Sequence, residues 1–111
     1  MPIKIFRGET LTTAMAATVG DITGATIVAT MKKARVAKVA PPASTPVAAT
    51  LNATPVANVA NTGKPGWHLE IPAAQTNGLP LGDYVAQAKI TLPSGVVDYS
   101  PLMDILIEER I

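Results

Sequence analysis

The sequence predicts an all-β domain, folded as an antiparallel β-sandwich of about seven strands. Three observations carry that expectation. Apolar side chains recur with a period of two along most of the chain, and the apolar runs are separated by short turn signals bearing Gly, Asn or Asp. The 10 prolines and 8 glycines in 111 residues leave no stretch suited to a long helix. The length fits one domain over 1–111, burying very roughly two thirds of the surface its unfolded chain would expose.

The elements follow in order. Ile3 and Ile5 alternate with Lys4 and Phe6, and Gly8-Glu9 ends that run. Leu11, Thr13, Met15, Ala17 and Val19 share a parity before the turn signals around Gly20-Asp21 and Thr23-Gly24. Ala25, Ile27, Ala29 and Met31 then alternate with Thr26, Val28, Thr30 and Lys32. Residues 39–63 carry no charge and four prolines among small and β-branched residues. They read as an extended loop or arm, either mobile or ordered against a neighbouring subunit, with short edge strands at Val47 to Leu51 and Val56 to Val59.

Beyond the arm, Trp67, Leu69 and Ile71 alternate with His68 and Glu70, which assigns Trp67 to core packing. Pro72 to Asn77 is expected to form one helical turn, with proline at its start and Gly78 as its stop. Tyr84, Ala86, Ala88, Ile90 and Leu92 take the inward parity of the next strand, and Pro93-Ser94-Gly95 turns the chain towards Val97 and Tyr99. Pro101 lacks a backbone donor and marks a bulge or edge position; after it Met103, Ile105 and Ile107 point inward, leaving Leu102 and Leu106 on the outer face as candidate contacts.

Composition excludes much chemistry. With no cysteine there is no disulfide, thiolate zinc site or cysteine nucleophile, which fits either maturation in a reducing cytosol or a protein that does not depend on redox state. One histidine, His68, and no nucleophile-elbow or phosphate-cradling motif give no basis for a catalytic triad, a metal site or a cofactor site. Asp104 and Glu108 would lie about 13 Å apart along one strand face, too far for paired-carboxylate glycoside chemistry. A net charge of +1 argues against bulk nucleic-acid binding. No apolar run reaches the roughly 18 residues of a membrane span. MPIKIFRGET lacks the features of a secretory signal, so the mature chain is expected to begin near Met1.

Charge is nonetheless uneven, at +4 over residues 1–38 and −3 over 64–111. The densest cluster is Lys32, Lys33, Arg35 and Lys38, either a solvated strand end or a patch that meets an acidic partner. With Val47, Leu51 and Val56 of the arm and with Leu102 and Leu106, these residues form the candidate interface.

Two stretches carry a family resemblance. The first, IFRGETLTTAMAATVGDITGATIVATMKKA, has the cadence R-G-E-T-L, a turn, D-I-T-G-A-T-I and a strand ending in basic residues. The second, WHLEIPAAQTNGLPLGDYVAQAKITLPSGVV, runs strand, short A-A-Q-T turn, L-P-L-G-D-Y, strand and hairpin. Together they resemble the small immunoglobulin-like domains of tailed-bacteriophage virion proteins, such as the N-terminal domain of baseplate upper proteins and related tail or head accessory proteins. The resemblance implies an immunoglobulin-like sandwich with Tyr84 as a tyrosine corner and Ile22 as a buried plug. It also implies a non-enzymatic virion component without cofactor, synthesised in the bacterial host cytoplasm. Its partners would be other virion proteins and further copies of itself in a ring or shell, the basic front half of one copy meeting the acidic rear half of the next. Nucleic acid and membrane are not expected as partners. The long uncharged arm departs from the family pattern. A host-surface or carbohydrate-binding module is the alternative, with Phe6 and Tyr99 as its available aromatics.

Overall fold

A computed structural model of the chain describes residues 3–17, 22–35, 39–59 and 64–111. Among these, eight strands and one helical turn form a single all-β unit: β1 (Ile3–Phe6), β2 (Leu11–Ala16), β3 (Thr26–Lys33), β4 (Ala49–Val56), β5 (Gly66–Ile71), α1 (Ala73–Thr76), β6 (Gly82–Thr91), β7 (Val97–Tyr99) and β8 (Met103–Glu108). The strands follow one hydrogen-bonded path, β1-β8-β6-β3-β4-β5-β2, with β7 continuing beside β6. The ends of the path, β1 and β2, are consecutive in the chain and joined by a tight turn, in which the Glu9 N–H donates to the Phe6 carbonyl at 2.9 Å. The result is a nearly closed, barrel-like sheet, and it is mixed, because β1 runs parallel to β8 while every other pair is antiparallel.

Two separate antiparallel sheets were the expectation, and β4 is the reason the sheet is continuous. Its first part, Ala49 to Leu51, pairs with β3; its second, Asn52 to Val56, pairs with β5. The uncharged stretch therefore supplies an interior strand that carries the sheet around a corner, where edge strands of an arm were expected. The Ala17 N–H donates to the Pro65 carbonyl at 2.8 Å. Alternation from that bond directs the backbone groups of Trp67 towards β2 and those of Pro55 away from β5. Pro55 thus lacks its N–H on the side where pairing to β3 has already ended, which is why a proline is tolerated there.

The inward parity predicted for the strands fills the barrel. Leu11, Met31, Leu69, Ile71, Tyr84, Ile105 and Ile107 are all at most 1% exposed, and Trp67 lies among them at 2%. Ile22 packs against this core but is only partly buried. The α1 turn closes one end: Thr76 is fully buried, and its hydroxyl lies 2.6 Å from the Glu9 carbonyl, tying the helix to the β1–β2 turn. Tyr84 donates its hydroxyl to the Pro80 carbonyl at 2.5 Å, the backward tie of a tyrosine corner.

Two outcomes follow from this packing. A Cβ on Gly66 would sit 2.1 Å from the Met15 carbonyl oxygen and 2.9 Å from the Ala16 Cα, so close approach of β2 to β5 requires glycine. Gly66→Ala is expected to destabilise the fold by about 2 kcal/mol or more in a denaturant titration. Burial pushes the Tyr84 hydroxyl above its ordinary pKa of 10.0, so the folded state holds this proton more tightly than the unfolded one. That contribution is present below the ordinary value and is lost as pH rises through the raised one. Tyr84→Phe should cost about 1 kcal/mol at neutral pH and should flatten the alkaline branch of the stability curve, read by melting temperature against pH.

Candidate functional site: an exposed sheet face and its groove

Outward side chains of β3, β6, β7 and β8 build one continuous face. In register, Lys32, Val85 and Asp104 stand side by side, and four residues along, Val28, Lys89 and Tyr99 do the same, with Lys89 in the middle. The last row presents Val28 at 56% and Tyr99 at 57% exposure, with Val97 at 46% on the adjoining row. Exposed Lys89 stands between Val28 and Tyr99, so the row combines two large exposed side chains with one ammonium.

A bulge aims Tyr99 and Val97 at this face. The β6–β7 register places Lys89 opposite Tyr99, whereas the β6–β8 register places Ala86 opposite Met103, so one extra residue is inserted between Ser100 and Leu102. The step explains how Tyr99 points out while Met103, of the same odd parity, points in. Ser100, 8% exposed, secures it. Its N–H donates to the Ala88 carbonyl at 2.9 Å, its Oγ accepts the Ala88 N–H at 3.0 Å, and its carbonyl accepts the Gln87 amide at 2.9 Å. The bulge expected at Pro101 is therefore present, held by the residue before it.

Beside this row lies a groove of about 270 Å³, floored by Val85, walled by Thr30, Lys32, Gln87 and Leu102, and roofed by Ala40, Pro41 and Ala43. The roof exists because residues 40–43 lie over the outer face: the Lys32 Nζ donates to the Ala43 carbonyl at 3.1 Å. That cover leaves outward-pointing Val85 only 4% exposed. The groove is lined by polar and apolar groups in about equal measure, with the Lys32 ammonium at its rim.

The sequence-predicted interface residues distribute unevenly. Lys32 and Leu102, the latter 40% exposed, line the groove. Leu106 is half-buried on the same outer face, and Val56 half-buried at the end of β4. Val47 is 50% exposed in the segment leading into β4. Lys33 turns the other way, its ammonium 5.4 Å from the Tyr84 ring centre, and Arg35 is exposed beyond the strand end. Leu51 is corrected: at 3% exposure it belongs to the core, because β4 is an interior strand whose alternate side chains point inward. Lys38 lies outside the described residues. Some charges of the basic front half and the acidic rear half pair within the molecule, Lys4 with Glu108 at 3.1 Å and Arg7 with Glu109, since β1 lies beside β8.

Sequence reasoning missed Val28, Val97 and the Ala40-Pro41-Ala43 roof as parts of this face. The parity of β3 already placed Val28 outward; the roof had no local signal. Among the described residues, no group of three or more His, Cys, Asp or Glu is placed to hold a metal ion, and His68 stands exposed on β5. Comparison with known protein-family models gave no match, and comparison with curated proteins gave none.

Ser100→Ala leaves the fully buried Ala88 N–H without its acceptor, and should cost about 1–3 kcal/mol of stability, read by thermal or denaturant unfolding.

Proposed function

We propose that this chain is a non-enzymatic structural component of a tailed-bacteriophage particle, an immunoglobulin-like module made in the bacterial host cytoplasm. It would act in a tail, baseplate, neck or capsid surface through contacts with other virion proteins and with its own copies. The observation that carries the reading is the row of Val28 and Tyr99, with Val97 beside it and the groove adjoining, held on paired strands. Side chains held on paired strands lose little freedom on docking, so burial of Val28, Val97 and Tyr99 favours association. Support for the immunoglobulin-like relationship comes from the Tyr84–Pro80 tie and from β1 running parallel to β8 beside β6 and β3.

A carbohydrate- or host-surface-binding role is the second reading, favoured by one observation: an exposed tyrosine next to a groove that offers the polar groups of Thr30 and Gln87. Glycan-array binding that vanishes on Tyr99→Ala would support it over the first.

The decisive test combines mass spectrometry of purified particles with incorporation of a Val28→Asp/Tyr99→Asp variant. The expected result is many copies of the chain per particle, and at least about tenfold lower incorporation of the variant with an unchanged circular dichroism spectrum. Absence from particles, or undiminished incorporation, contradicts the proposal.

A further inference from the structure

The second feature of the surface is an edge rather than a face. β2 ends the strand path, and among the described residues nothing pairs with its outer side. The Ala17–Pro65 bond fixes which backbone groups face that side: Leu11, Thr13 and Met15 direct theirs to β5, so Thr12, Ala14 and Ala16 direct theirs outward. Edge strands are ordinarily protected by charge, proline or a bulge. β2 has none of these: Leu-Thr-Thr-Ala-Met-Ala is uncharged and paired to β5 without interruption. The other end of the path differs, with Lys4 on β1 and Arg7 just after it, both in ion pairs. The core is also incompletely sealed along β2. Thr13 and Met15 share the inward parity of Leu11, yet Leu11 is fully buried while those two are only half-buried.

We propose that the β2 edge is a strand-addition site for the β2 strand of a second copy, paired antiparallel about a two-fold axis at Ala14. The occupant follows from self-complementarity. In that register Ala14 faces Ala14 of the other copy and Thr12 faces Ala16, and the three outward-facing residues of each strand exchange about six backbone hydrogen bonds. The side chains on the solvent side are small, and no like charges are brought together. On the core side, Met15 of each copy meets Thr13 of the other at the closer, non-hydrogen-bonded positions, covering the half-buried stretch. The interface is isologous and narrow, so isolated dimers are expected in the micromolar range and gain occupancy where copies are already concentrated, as in an assembly. The pairing does not depend on the outer face formed by Val28 and Tyr99, and the substitutions that test it leave that face unaltered.

Sedimentation over a concentration series, together with single-cysteine crosslinking in this cysteine-free chain, tests the proposal. Ala14→Pro removes an outward N–H at an edge position where proline is tolerated. It should keep the β spectrum and weaken dimerisation at least tenfold. Under air oxidation, Ala14→Cys should crosslink at least tenfold faster than Thr12→Cys: the first pair of Cα atoms would be about 5.5 Å apart, within disulfide reach, whereas the second is separated along the strands. A chain that stays monomeric at millimolar concentration, a dimer that survives Ala14→Pro, or equal crosslinking of the two cysteine variants would overturn it. Pairing of β2 with a different protein in place of a second copy would also do so.

Discussion

The fold depends on one strand pairing with different neighbours along its length. β4 bonds to β3 through Ala49 to Leu51 and to β5 through Asn52 to Val56, and so joins two groups of strands that would otherwise share only side-chain contacts. Small, uncharged residues suit the task. A strand flanked at different points by two partners must bend without leaving a charge or a bulky side chain at the corner, and a proline fits only where one flank is open. Leu51 anchors the corner in the core, and the barrel interior is continuous because this strand is.

The same chain path creates the outer groove. Residues that lead into β4 must cross the outside of β3 and β6 before entering the sheet, and in crossing they cover Val85 and draw the Lys32 ammonium onto the Ala43 carbonyl. The groove and the Val28–Tyr99 row therefore share a scaffold of paired strands, with the Ser100 bulge setting the direction of the tyrosine. The described surface offers shape and apolar area on rigid elements, and its charges are in part committed to internal pairs across β1 and β8.

Much of this was legible in the residues. Period-two alternation located β1, β2, β3, β5, β6 and β8 with the correct faces inward, because a half-buried strand writes its environment into every second side chain. Pro72 and Gly78 bracketed the helical turn, and the Gly82-Asp83-Tyr84 pattern located the tyrosine tie. β4 was harder to read because Ala, Thr and Pro are equally at home in a loop; its strand character comes from long-range pairing, which has no local signature. The candidate site was read in part. Lys32 and Leu102 reach the groove from outward positions that alternation along their segments records, whereas Leu51 points inward from a strand with no local signature, and the roof over Val85 arises from a loop whose course no periodicity records.

Hydrogen exchange across Ala49–Val56 tests the central claim most directly, since a strand paired on both flanks in turn must shield amides that a loop or arm would leave open. Slow exchange of the Leu51 amide, to a degree comparable with the core strand β6, with protection continuing into the β5-paired half, is the result this account predicts. Exchange throughout the segment at the rate of an unstructured peptide would contradict it.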